Sequence, residues 1–219
     1  MQAPRIALIH ATPVAIEPIV SAFKRLWPAA RTTSLLEDSL APDLAADGKL
    51  TDVMIERFVT LARYVRGCGA DAILFTCSAF GPAIEEARRQ LDVPVLKPNE
   101  AMLDEALAAG TRIGLMATFA PSIPSLRQEL EDLAAEKGLK LSIRTSAIPS
   151  ALAALHDGQP GEHDRLIAAA AEEMEDCDAL VLGQFSMASA ADAIPKKRGR
   201  KVLTSPASAV LRLKSTLGS

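Results

Sequence analysis

Three short apolar segments of this 219-residue chain recur at one spacing. Arg5-Ile6-Ala7-Leu8 is matched by Arg112-Ile113-Gly114-Leu115, Asp71-Ala72-Ile73-Leu74 by Asp178-Ala179-Leu180-Val181, and Val95-Leu96 by Val202-Leu203, each 107 positions on. A more alternating pair, residues 32–36 and 139–143, fits the same offset. Any two α/β halves share apolar strands, but a constant offset at separate places points to duplication of one structural unit.

The content of that unit follows from the hydrophobic pattern. Short continuous apolar runs at 6–9, 72–75, 93–96, 113–116, 180–182 and 202–203 read as parallel strands buried on both faces. The alternating segments 32–36 and 140–143 read as strands nearer an edge. Helical spacing predicts helices over 15–26, 51–66, 82–90, 101–108, 123–137 and 162–175. Thr51-Asp52 and Ser122 are expected as helix starts, Gly67 and Gly138 as stops. Strand and helix alternate throughout, so the expected fold is α/β: two pseudo-symmetric doubly wound parallel-sheet halves with an active-site cleft between them. The expected boundaries are 1–97 plus 206–219 for the first half and 98–205 for the second.

Composition narrows the function classes. Aromatics are only 4% of the chain while apolar residues make up 49%, which suits Ala-rich helices packed closely on a sheet. The net charge of −3, with both signs mixed, lacks the basic stripe that phosphate binding requires, so no nucleic-acid partner is expected. The basic run Lys196 to Lys201 reads as a solvated loop before a strand. No signal-peptide pattern opens the chain, and no apolar run approaches the ~20 residues of a transmembrane helix, so no membrane is expected. Three cysteines without C-x-x-C spacing argue against a disulfide framework or zinc site and for a reducing, cytoplasmic compartment. No metal site is expected. Ala-rich faces are compatible with a homo-oligomer or with core.

In doubly wound sheets, ligands bind at the carboxyl ends of the strands. The residues found there are His10 and Thr12; Thr76, Cys77, Ser78 and Ala79; Thr118 and Phe119; Gln184 and Ser186; Thr204 and Ser205. Cys77 stands out. It lies between a predicted strand and a predicted helix, where backbone N–H groups favour thiolate over thiol. Such a sulfur can accept or donate a proton, or attack as a nucleophile. The small hydroxyl residues beside it can hold a carboxylate. Cys68 and Cys177 precede strands, at the opposite sheet end, and are assigned to packing. His156 and His163 are expected at the surface. Asp38 and Ser39 either shape the cleft or form a solvent-facing turn.

The stretch Phe75-Thr76-Cys77-Ser78-Ala79-Phe80-Gly81-Pro82 resembles the aspartate/glutamate racemase superfamily, as do Leu182-Gly183-Gln184-Phe185-Ser186-Met187 and the segment from Pro94 to Met102. The resemblance spans almost the whole chain and implies cofactor-independent chemistry in a cleft between the halves. In the racemases two cysteines flank the substrate, one removing the α-proton and the other delivering a proton to the opposite face. The first matches Cys77. The 107-residue offset puts its partner at Gln184, and glutamine cannot exchange a proton at neutral pH. Ser186 is a poor acid or base without an activating neighbour.

The expected activity is therefore an isomerase or racemase-like enzyme acting on a small carboxylate or amino-acid derivative through a single cysteine. Cys77 would be the base or nucleophile, and Gln184 would orient substrate or stabilise an oxyanion. Two alternatives stand beside it: a decarboxylase or lyase of the same superfamily, and a catalytically silent carboxylate-binding protein.

Overall fold

The computed structural model describes residues 3–218. In the first half the apolar runs form strands β1 (Arg5–His10), β2 (Arg31–Leu36), β3 (Ala72–Phe75) and β4 (Val95–Leu96). All pair parallel, in the order β2-β1-β3-β4. The second half repeats this with β5 (Arg112–Ala117), β6 (Ser142–Ala147), β7 (Ala179–Leu182) and β8 (Lys201–Thr204), in the order β6-β5-β7-β8. β3 and β7 are buried along their whole length, whereas β2 and β6 alternate as edge strands facing water on one side. The chain divides into two compact units, one ending at Glu100 and resuming at Ala209, the other Ala101–Ser208.

The central pairings repeat in register. Ile6 is opposite Ala72 as Ile113 is opposite Ala179, and Ile73 is opposite Val95 as Leu180 is opposite Val202. The offset does not extend to the edge strand. Arg5 pairs with Arg31 but Arg112 with Ser142, so β6 starts later than a spacing of 107 predicts. The cause is the end of helix α6 (Ile123–Glu136): Gly138 turns left-handed at φ 66° and Leu139 N–H donates to the Ala134 carbonyl. That closure keeps residues 137–139 in the helix cap, and no strand can begin there.

The repeated Arg and Asp fasten the central strands at their amino-terminal ends. Asp71 accepts the backbone N–H of Arg5 at 2.7 Å. Asp178 accepts those of Thr111 and Arg112 at 3.1 and 3.0 Å and pairs with the Arg112 guanidinium, which holds its carboxyl at about 2.

Helices of the first unit are α1 (Ile16–Leu26), α2 (Leu40–Asp47), α3 (Asp52–Gly67) and α4 (Gly81–Gln90). Those of the second are α6, α7 (Pro149–His156) and α8 (Pro160–Glu172); α5 (Glu100–Ala109) and α9 (Ser205–Thr216) include the unit boundaries. No helix among the described residues is long and apolar enough to cross a membrane. Thr51 caps α3 by accepting from Met54 N–H. The helix buries Met54, Phe58, Ala62 and Val65, a 3.6-residue stripe.

Phe58 lies at the centre of this packing. Its ring centroid is 5.2 Å from that of Phe75 and 4.6 Å from that of Phe80, and all three rings are buried. Phe75 ends β3 and Phe80 opens the following helix, so the trio pins both ends of the segment carrying Cys77. Replacing Phe58 with alanine removes a large buried side chain and both ring contacts. A loss of about 3–5 kcal/mol is expected in urea unfolding. A change below about 1 kcal/mol would show that the segment is anchored otherwise.

Candidate active site

β3 delivers Thr76 and Cys77 to the carboxyl edge of the first sheet. Cys77 is extended (φ −126°, ψ 122°) and precedes a 3-10 turn, Ser78–Phe80, that leads into α4. Gln184 has the same address in the second unit: two residues after β7, extended (φ −137°, ψ 146°), before the 3-10 segment Phe185–Asp192.

Cys77 is half-buried, and the backbone N–H of Ala79 lies near its sulfur without closing a side-chain cap. Burial outweighs the pull of that N–H and pushes the thiol up from its ordinary range. The resting sulfur is therefore a thiol, contrary to the thiolate expected from its position. The sequence shows the neighbouring N–H groups but not the packing of Cys77 against the Phe58 cluster, which desolvates the sulfur.

His10, the last residue of β1, is fully buried. Its Nδ1 lies 2.9 Å from Thr76 Oγ1 and its Nε2 3.2 Å from Ser34 Oγ. Thr76 Oγ1 in turn donates to the Ile9 carbonyl at 3.4 Å. A hydroxyl that donates to a carbonyl accepts from the ring, which puts the proton on Nδ1 and leaves Nε2 to accept from Ser34. Burial lowers the His10 pKa to about 4, so the ring is neutral near pH 7. Expected among ligand-binding groups, His10 instead ties β2, β1 and the residue before Cys77 together.

In the second unit Gln184 Oε1 accepts from Thr118 N–H at 2.7 Å, Thr118 Oγ1 at 2.8 Å and Phe119 N–H at 3.3 Å. Three of the anticipated site residues thus meet, but in contact with one another. Gly183 makes room for this turn: a Cβ there would sit 2.3 Å from Leu126 Cδ2 and 3.1 Å from the Met116 carbonyl oxygen.

The remaining anticipated residues separate by exposure. Ser78 and Ala79 are exposed beside Cys77, Thr12 and Ser186 are half-buried, and Phe119 is exposed. Thr204 and Ser205 are buried, with Thr204 Oγ1 accepting Ala207 N–H at the start of α9 and Ser205 Oγ 3.6 Å from Met102 Sδ. Cys177 is buried as expected, but Cys68 is exposed in its turn. His163, expected at the surface, is fully buried because it continues the inner stripe of α8 with Ile167 and Ala171; Asp164 Oδ1 lies 2.7 Å from its Nδ1.

Ser34 was not anticipated. Its role depends on the β1–β2 register, which sets it opposite Leu8, one turn of pleat before His10. Asp38 and Ser39 are exposed. Ser39 joins Glu37 and Asp43 around Arg57. Those residues adjoin a cavity of about 400 Å³ lined by Glu37, Val53, Glu56, Arg57, Thr60 and Leu61. Its one cation is already held by Glu37 and Asp43, so a small carboxylate gains no free charge there. Among the described residues, no group of three or more His, Cys, Asp or Glu side chains is placed to hold a metal ion.

Residues 9–213 match the family described as Asp/Glu/Hydantoin racemase. The chain belongs to that family. A hydantoin racemase from Rhizobium meliloti is 28% identical over 152 residues, a stretch covering 69% of this chain and 62% of that protein. The chain's match thus spans less than two thirds of that relative's length. An aspartate racemase homologue from Pyrococcus horikoshii OT3 superposes with a TM-score of 0.73 at 15% identity, covering 100% of both chains. Unliganded arylmalonate decarboxylase superposes at 0.64 with 20% identity, covering 99% of this chain and 95% of the other. At such identities these likenesses establish the fold. Within the two units, Cys77 and Gln184 stand at equivalent strand ends, a thiol in one and a carboxamide in the other.

Proposed function

We propose that this chain is a cofactor-independent, racemase-like isomerase acting on a small carboxylate or amino-acid derivative, with Cys77 as its proton-transfer group. One observation carries the reading. Cys77 is a partly accessible sulfur at a strand end, on a segment fixed by Phe75 and Phe80 and braced through Thr76 by a neutral histidine. Pre-positioning of this kind is what general acid–base catalysis needs. Beside it, the Ser78 hydroxyl and Thr12 are free to hold a carboxylate. Thr118 and Phe119 act through Gln184, which orients the substrate with its amide. All three cysteines are free, as sulfur chemistry on Cys77 requires, and this supports a cytoplasmic setting.

The reaction runs with balanced protons. The Cys77 thiolate, formed as its proton leaves to solvent, removes the α-proton and becomes a thiol; the electron pair passes into the substrate as an enediolate. A proton returned by the same sulfur to the same face would only restore the starting stereoisomer, and Gln184 supplies none. For isomerisation a water molecule protonates the opposite face of the enediolate, and the hydroxide left behind is neutralised as the Cys77 thiol gives up its proton, which restores the thiolate.

A second reading is favoured by the raised Cys77 thiol. A resting acid is suited to protonating an enediolate formed by loss of carbon dioxide, and the fold is shared with arylmalonate decarboxylase. Incubation of a panel of amino acids, hydantoins and malonates in D₂O separates the two. The isomerase reading expects α-deuterium incorporation with no loss of carbon. Stoichiometric carbon dioxide release would replace it with the lyase, and binding without either would leave a silent carboxylate-binding protein.

A further inference from the structure

The Gln184 side chain is held in an unusual way for a residue at a reacting position. Its outer oxygen collects three donors from its own unit, and Thr118, which supplies two of them, is buried. Three donors converging on one atom require an acceptor, so the carboxamide is oriented with oxygen inward and nitrogen outward. Among the described residues that nitrogen makes no hydrogen bond. Two successive backbone N–H groups and a hydroxyl aimed at one point form the donor set that a carboxylate oxygen takes. Here the point is filled by the chain itself.

The repeat shows why. Thr118 and Phe119 correspond to Ala11 and Thr12, and Gln184 to Cys77, at the same spacing. Cysteine is too short to cross to those amides, and the Cys77 sulfur makes no cap bond to its own turn. Glutamine, two bonds longer, reaches across.

We propose that Gln184 is the internal occupant of a carboxylate-binding nest formed by Thr118 N–H, Phe119 N–H and the Thr118 hydroxyl. It closes that nest to ligand carboxylates and presents an N–H₂ donor to ligand oxygens in their place. Gln184 is then a specificity-determining residue: the second unit accepts a carbonyl or carboxylate oxygen through Nε2, and the nest stays shut. The proposal rests on the functional reading above for the location of the site alone.

The test uses formate and acetate, with chloride at equal ionic strength as the control, followed by the Thr118 and Phe119 backbone resonances of ¹⁵N-labelled full-length protein. In Gln184→Ala the nest is empty, and both resonances are expected to move saturably with millimolar carboxylate but not with chloride. In the native protein the same shifts should require at least tenfold more ligand. Gln184→Ser, too short to reach the donors, should behave like the alanine variant and serves if alanine impairs folding. Gln184→Glu, whose carboxylate occupies the nest, should stay closed and melt no lower than the native protein. Equal carboxylate affinity in native and shortened variants, or no carboxylate-specific shift in a folded shortened variant, overturns the proposal. Turnover is not measured and Cys77 lies in the other unit, so a failure of the Cys77 assignment leaves this result unchanged.

Discussion

Replacing Cys77 with serine is expected to lower turnover on the substrate found by deuterium exchange by about 10³-fold, within the range contributed by a positioned acid or base. That corresponds to roughly 4 kcal/mol of transition-state stabilisation. The fold should survive, because serine is nearly isosteric with the half-buried cysteine. The pH profile adds a sign. The folded thiol titrates above its ordinary range. If the thiolate acts first, kcat/KM should climb as pH rises toward that titration. If the thiol acts first, as in the lyase reading, kcat/KM should be flat near neutrality and fall at high pH. A Cys77→Ser enzyme with native turnover would remove the sulfur from the mechanism.

The address of Cys77 was legible from the chain because it depends on backbone order. β3 and β7 are unbroken apolar runs, and a helical pattern at 82–90 follows β3. The repeat of Arg5/Asp71 as Arg112/Asp178 was also legible, and the structure gives the reason: both aspartates accept strand N–H groups from a neighbouring strand. Other features had no signature at the level of pattern. α2, α7 and the 3-10 segment Phe185–Asp192 are short and Ala-rich, so no clear 3.6-residue stripe marks them. The place of β6 followed from a cap closing at Leu139, a local event that a constant offset cannot register.

Side-chain reach was the least readable property. A sequence shows that Gln184 matches Cys77 at the 107-residue offset, but not that it turns back onto Thr118 and Phe119. It shows a lone His10, but not that Ser34 and Thr76 bracket it. It shows Cys77 before a helix, and so a favoured thiolate, but not the burial that reverses the preference. In each case the decisive term is desolvation or a contact across strands, set by the register of two segments distant in sequence.

The clearest consequence of such a hidden contact is acid sensitivity from His10. Unfolded, this histidine takes a proton near its ordinary value of 6.5; folded, it does so only at about 4. Between those values the unfolded chain binds more protons than the native one, so stability must fall as pH decreases. The contribution is complete above about pH 6.5 and is lost progressively toward pH 4, about 3 kcal/mol in all, at 1.36 kcal/mol per pK unit. The full value is expected because His10 is fully buried, and neither bracketing partner carries a charge that could offset the imidazolium. Asp92 and Asp178, both held at about 2, add their own losses mainly at lower pH. A His10→Gln variant keeps a donor and an acceptor but cannot titrate. It should be less stable at pH 7 and should lose less stability between pH 6.5 and pH 4, the two urea-unfolding curves converging as the pH falls. Parallel curves would mean that the ring is not buried in its neutral form, and the brace across β2, β1 and Thr76 would then have to be abandoned.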